Sequence, residues 1–390
     1  MSERAGEARR LKILLLCSTP EYTGPAELML DDAVALREAG HEVAVAFDTR
    51  RPGSLRERVE ALGLPIEEGL DLCRKFDPRK VIADIAHLRR RLEAGAYDLL
   101  HSRFSNDHHV CLLAARGPLR ERVRIVRSTE LLANVAKGTS RSIPYVRTDA
   151  FVVPSEEHRR GLEHDHAIDP ARIFLLRGRV DAERFAPGPS GLRRELGIPA
   201  DAPVLGVVSR IKPDRRHDHL VRTFARVLRV LPTAHLVLVG RGEGIPAVRE
   251  TVRAEGIEAR VHFAGYRQGD ALVDAYRAFD AKAWIAPGND GTCRAVLEAM
   301  ACGVAVLGAR FGAVAEAVVN RETGRLCDPD ENGGEALAEA IHWLLSDRRR
   351  ARALGQAGRQ RVLAHYTPAQ RRESLLQMYR EIAALPPARG

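Results

Sequence analysis

One rhythm runs through this chain twice, and it leaves few folds open. Short, almost continuously apolar runs alternate with stretches of helical periodicity: LKILLLCS, then PAELMLDDAVALREAG stopping at Gly40, then HEVAVAF. YDLLH, DHHVCLLAARG, RVRIVRS and DAFVVPS continue it. Residues 178–203, GRVDAERFAPGPSGLRRELGIPADAP, are rich in Gly and Pro and carry no long periodic run, which marks a linker. The rhythm then restarts with PVLGVVSRI, AHLVLVGRG, RVHFAGY, AKAWIAP, VAVLGAR and TGRLCDP, and the chain closes on helices. Strands that are apolar on both faces imply a parallel sheet covered by helices on each side. The 390 residues exceed one ordinary core. The expected class is therefore α/β, with two doubly wound, Rossmann-like domains in tandem.

Charge and cysteine usage bound the function. A net charge of +9 suits an anionic partner, whether nucleotide phosphate, nucleic acid or membrane surface, and equally a plain basic surface. No basic motif interleaved with aromatics supports nucleic acid. Six scattered cysteines without a C-x-x-C pair argue against a zinc ribbon or disulfide scaffold and for a reducing cytosol. The N-terminus imitates a signal peptide, but Lys12 interrupts its short apolar run, which reads as a buried strand. No apolar run approaches the roughly 20 residues of a membrane span.

In open parallel sheets ligands bind outside the carboxyl ends of the strands, so residues following strands are the candidates. Gly24 follows the first strand without a G-x-G-x-x-G; it either lets a ligand approach or is a plain loop glycine. Arg210 ends the first strand of the second half, with Arg215 and Arg216 close behind, and arginines there suit a diphosphate. The loop Gly240 to Gly244 contacts a nucleotide or is a tight turn. Asp290, Gly291, Thr292 and Cys293 open a helix whose N-terminal amides favour phosphate oxygens, and Arg294 adds a further cation. Asp290 reads as a sugar ligand or a helix cap. Glu298, eight residues on and flanked by Leu297, Ala299 and Met300, needs a partner or a ligand in an apolar helix. In the first half His101 ends the YDLLH strand and Arg103, Asp107 and His108 come just after it; they line a cleft or form a polar rim. The two His-Asp-His triplets lack the spacing of a helical metal clip, so no metal site is expected.

These residues together resemble the retaining nucleotide-sugar glycosyltransferases of family four, which have the GT-B fold. The resemblance rests on Asp290 and Glu298 within DGTCRAVLEAMACG, on Ser209-Arg210-Ile211 with Arg215, on VHFAG ending at Gly265, on Arg179-Val180-Asp181 with Phe185, and on Gly40 to Val43. It covers nearly the whole chain. It implies two Rossmann-like domains facing each other across a cleft: residues 1–185 on the acceptor side and 186–365 binding the donor. A terminal helix, 366–390, would pack back on the first domain. It implies that Arg210 and Arg215 hold the donor diphosphate, Glu298 the ribose, Asp290 and the amides after it the transferred sugar, and that Tyr266 and Arg267 lie near the base. His101 joins the catalytic candidates, and Arg103, Asp107, His108 and Arg127 the acceptor side. No cofactor is implied beyond the nucleotide-diphosphate sugar itself.

The sequence also departs from the family pattern. Asp replaces the usual first Glu, Cys293 the second loop glycine, Arg215 a lysine and Arg179 the linker glycine, and the histidine common near Arg127 is missing. These fall mostly at the sugar end. The expected function is a cytoplasmic, metal-independent, retaining transferase. Its acceptor would be a saccharide or a lipid-linked saccharide of the cell-envelope or lipopolysaccharide type. Arg89 to Arg91 and the arginines from 116 to 127 add expected peripheral contact with the anionic inner face of the cytoplasmic membrane. A nucleotide-sugar epimerase or phosphorylase and a non-catalytic nucleotide-binding module are the alternatives. Base, sugar and oligomeric state are not encoded in any motif.

Overall fold

The protein was analysed as a computed structural model that describes residues 10–73, 77–129, 145–286 and 293–388. The chain divides into two compact units, residues 1–176 with 372–390, and residues 177–371. Each is built on a six-stranded sheet in which all strand pairs are parallel.

The first sheet contains β1 (Lys12–Cys17), β2 (Glu42–Phe47), β3 (Leu99–Ser102), β4 (Arg124–Ser128), β5 (Ala150–Val153) and β6 (Ile173–Leu175), in the order β2-β1-β3-β4-β5-β6. Its apolar run explains itself: Ile13, Leu15 and Cys17 face one core and Leu14 and Leu16 another, on the opposite side of the sheet. Side chains alternate along a strand, so only a run apolar at every position fills both layers. The first of these cores takes in Leu375, Met378, Tyr379 and Ile382 of the helix Pro368–Ala384. That helix starts on a capping box: the Gln370 N–H donates to Thr367 Oγ1 at 3.3 Å and the Thr367 N–H to Gln370 Oε1 at 2.9 Å.

The second sheet contains β7 (Val204–Val208), β8 (His235–Val239), β9 (Val261–Gly265), β10 (Ala281–Trp284), β11 (Ala305–Ala309) and β12 (Gly324–Cys327), in the order β12-β11-β10-β7-β8-β9. Val180 and Phe185, from the Gly- and Pro-rich stretch, are buried in its core.

Strand order fixes where each unit can hold a ligand. In the first, β1 is followed outward by β2 on one side and by β3 on the other. In the second, β7 runs outward to β8 while β10 lies on its other flank. Loops leaving these pairs diverge, and the crevice left at their carboxyl ends is the switch point at which such sheets bind ligands.

Candidate functional site

At the β7/β10 switch point Val207, Ser209, Arg215, His217, Trp284 and Ala286 enclose a cavity. Pro213–Arg215 forms a single 3₁₀ turn after β7, and Arg216 then takes a left-handed conformation before the helix His217–Leu228 begins. This short return carries Arg215 inward. It is 9% exposed, its guanidinium lies 5.1 Å from the Trp284 ring, and its Nε and Nη1 have no hydrogen-bond partner. A further donor at the cavity wall, Trp284 Nε1, is also unpartnered. His217 Nε2 meets Ser209 Oγ at 3.0 Å, and the Lys212 backbone also acts on the ring. Burial and then the nearby Arg215 lower the His217 pKa to about 4, so the ring is neutral at physiological pH. A buried cation with unmet donors is costly unless an anion completes it.

Of the neighbouring arginines, Arg210 is exposed, and Arg216 is taken up by an ion pair with Asp330. The glycine loop after β8 is architecture. A Cβ at Gly240 would lie 1.9 Å from the Ser209 carbonyl oxygen and one at Gly242 2.1 Å from that of Ile211. The Ile211 N–H donates to the Arg241 carbonyl at 3.0 Å, so the two loops brace one another. Tyr266, just past β9, is 54% exposed with the Arg241 guanidinium 4.4 Å from its ring, and offers a flat face. Arg267 pairs with Glu195 and donates to the Ala264 carbonyl at 2.9 Å.

Glu298 is 4% exposed on the helix Arg294–Ala301. Tyr276 Oη donates to its Oε2 at 2.7 Å and Arg294 Nε to its Oε1 at 2.9 Å. The phenol is fully enclosed, and burial followed by the Glu298 charge holds its pKa well above the usual value, so Tyr276 stays a donor. Cys293, at the head of that helix, has φ +44°, a left-handed conformation that favours glycine. Asp290, Gly291 and Thr292 lie outside the described residues.

The first unit redistributes the other candidates. His101 is 1% exposed; its Nδ1 meets Tyr379 Oη at 2.6 Å and its Nε2 meets Ser128 Oγ at 2.9 Å. Within β3 and with both nitrogens held inside the core, it sits as a packing residue where a catalytic group was expected at the strand's end. His108 is likewise enclosed, between Ser102 Oγ at 3.2 Å and Thr148 Oγ1 at 2.9 Å. Arg103 donates to Asp32 Oδ2 at 2.6 Å in a buried pair. Arg127 lies at the carboxyl end of β4 with Nε unpartnered, and Asp107, in the helix Ser105–Ala114 that follows β3, accepts from the Ser18 and Phe104 N–H groups. Gly24 begins the helix Gly24–Glu38 in open space, where nothing demands a glycine.

The chain as a whole matches known proteins. Residues 191–361 match the family described as Glycosyl transferases group 1, and residues 23–184 match Glycosyltransferase Family 4. The D-inositol 3-phosphate glycosyltransferase of Rhodococcus jostii is 30% identical, over 95% of this chain and 89% of that one. The chain belongs to glycosyltransferase family 4. Two solved structures share the fold. A glycosyltransferase from Rickettsia africae has a TM-score of 0.81 at 17% identity, covering 96% of this chain and 99% of that one. Anabaena HepE in complex with UDP-glucose has 0.77 at 20%, covering 95% and 99%.

For a family 4 glycosyltransferase, two site residues escaped the sequence reading: Trp284 and His217. Trp284 sits in the apolar run AKAWIAP, where nothing but its indole separates it from core. His217 lies in a His-Asp-His triplet weighed only for metal. The basic run of the first unit is also less available than its count suggests. Arg91 is paired with Glu67 and Arg120 with Asp149, and Arg122 and Arg124 donate to the carbonyls of Leu92 and Leu385. No helix of the described residues is long and apolar enough to cross a membrane.

Proposed function

We propose that this glycosyltransferase moves a hexose or related sugar from a UDP-sugar to a saccharide or lipid-linked acceptor, with retention of configuration and without a metal. The observation that carries the reading is Arg215: a buried guanidinium with two unmet donors, set against Trp284 at the switch point where an open sheet binds its ligand. A diphosphate completes those donors. Its negative charge grows as the sugar–phosphate bond breaks, so a cation fixed there stabilises the departing group more than the bound donor. Arg215 and the exposed Arg210 supply the positive charge that a metal would otherwise bring. Glu298, held rigid by Tyr276 and Arg294, accepts from ribose hydroxyls, and Tyr266 offers a face to the base. Asp290 and the amides of Gly291, Thr292 and Cys293 are assigned to the transferred sugar.

The HepE complex with UDP-glucose supports uridine as the base. The acceptor bond forms on the face from which the diphosphate leaves, which requires no nucleophile on the protein. We place the reaction on the cytoplasmic side, in cell-envelope polysaccharide or lipopolysaccharide synthesis, with the exposed Arg90 and Arg116 available to an anionic surface. A thermal-shift panel of UDP-, GDP- and ADP-sugars in EDTA tests the donor. UDP-sugars are expected to raise Tm, since a ligand that binds only the native state stabilises it. No response to any of them overturns the reading, and conversion of the donor with no acceptor present identifies an epimerase.

A further inference from the structure

In the cavity beside Arg215 a single ring serves two neighbours. His217 opens the helix His217–Leu228 and is 3% exposed. Its Nε2 meets Ser209 Oγ at 3.0 Å, and both residues line the cavity. The Lys212 backbone hydrogen-bonds the ring and favours its protonated form, the effect of a carbonyl that accepts a ring N–H. With Nε2 turned to Ser209, that N–H is on Nδ1. A neutral imidazole carries one N–H only. Given to the carbonyl, it leaves Nε2 bare, so Ser209 spends its own proton on the ring and shows the cavity lone pairs alone. The helix start and Arg215 oppose a charged ring, while Asp218 and Asp214 favour one. Of the facing strands, β7 leads into the Ser209 hydroxyl, and β10 brings Trp284, with the buried Lys282 Nζ 4.4 Å from the indole. Lys212 pairs with Glu243 and Arg216 with Asp330.

We propose that binding of the nucleotide-sugar diphosphate loads a proton onto His217 through Ser209. This rests on the donor reading above, which puts a diphosphate in this cavity. An ionised phosphate oxygen only accepts, so Ser209 must turn its O–H toward it. Ser209 Oγ then takes its second hydrogen bond from the ring. His217 can give that bond and keep the one to the Lys212 carbonyl only by carrying an N–H on both nitrogens. The added proton comes from solvent onto Nε2, and no bond of the donor changes. A shift of the single proton from Nδ1 to Nε2 would serve Ser209 but take the hydrogen bond from Lys212. The phosphate charge acts in the same direction, since an anion within about 4–6 Å favours the charged form of a titrating group and here offsets Arg215. Ser209 is thereby a phosphate ligand and His217 a positioning residue. Because the ring is neutral in the free protein and charged in the complex, donor affinity rises as pH falls.

Isothermal titration of the full chain with UDP-glucose, in buffers of different ionisation enthalpy, counts the protons taken up. UDP-glucose is the probe because its diphosphate, esterified at both ends, does not itself titrate near neutrality. Uptake is expected to grow from little at about pH 7.5 toward one proton per UDP-glucose at about pH 5.5, with affinity rising in step by at most about tenfold per pH unit. His217→Gln keeps an N–H for Ser209 but cannot titrate, so uptake and the pH dependence of affinity should both vanish while UDP-glucose still binds. Ser209→Ala should weaken binding several-fold and lose most of the uptake. A Tm within a few degrees of wild type checks that each variant folds, and the wild-type titration decides without them. Binding by wild type with an enthalpy independent of buffer, or uptake unchanged in either variant, overturns the proposal. If UDP-glucose binds at no pH, the donor reading falls and the proposal falls with it.

Discussion

Arg215 shows how a single turn of backbone converts a surface residue type into a site. Its guanidinium packs against the Trp284 ring, with the Asp214 carboxylate 3.9 Å from Nε and no hydrogen bond to Nε or Nη1. Contacts of this kind are worth about 0.5–2 kcal/mol. Trp284→Leu is therefore expected to weaken UDP binding by roughly two- to thirtyfold, each tenfold being about 1.4 kcal/mol. Unchanged affinity by calorimetry would show that Trp284 does not position Arg215. His101 is the opposite case. Removing the Tyr379 hydroxyl strands one of its buried nitrogens, so Tyr379→Phe should cost about 1–2 kcal/mol in urea unfolding. UDP affinity should be unaffected. If that variant lost UDP binding with its stability intact, the reading of His101 as packing would fall. Position at or beyond a strand end was legible in the sequence for both residues. What separates them is the partner each meets, and Tyr379 lies 278 residues from His101.

At the scale of elements, strands and their sheet were legible because an apolar run filling two layers leaves no other fold. The loops were not. Gly240 to Gly244 reads as a phosphate cradle or as a turn, and only the fold shows the approach of the Ile211 carbonyl, 2.1 Å from a Cβ at Gly242, that requires a glycine there. Gly242→Ala must push two loops apart. It is expected to lower stability by roughly 2 kcal/mol or more and to weaken donor binding with it, since backbone strain of this kind costs on the order of 1–3 kcal/mol. A wild-type Tm in this variant would contradict the brace. The strand starts hold another device. His235 Nδ1 meets His262 Nε2 at 2.8 Å, with Arg260 Nη1 3.0 Å from the other His235 nitrogen. Burial, then His262 and Arg260, lower the His235 pKa to about 4. The unfolded chain, titrating near 6.5, binds the proton first as pH falls. The neutral pair thus stabilises the fold above pH 6.5 and loses that contribution between 6.5 and about 4. Urea unfolding of His235→Gln should show a shallower fall across that window than wild type; an equal fall would place the sensitivity elsewhere.

For the whole molecule, family membership and the two sheets place the candidate donor site on the second unit, at a cavity lined by Arg215, His217 and Trp284. Arg89 to Arg91 and the arginines from 116 to 127 suggested a strongly basic first unit, yet much of that arginine is spent on Glu67, Asp149 and backbone carbonyls. Sequence alone exposes the number of charges, while their long-range partners are fixed only by the fold. The claim at the centre is that Arg215 holds the leaving diphosphate without help from a metal. Isothermal titration of UDP-glucose in EDTA, into wild type and Arg215→Ala, measures it directly. Hydrogen bonds from charged groups contribute about 1.5–3 kcal/mol each, so the variant is expected to bind at least tenfold more weakly, with Arg215→Lys between the two. Equal affinity in wild type and Arg215→Ala, or binding by wild type only when a divalent cation is restored, would contradict it.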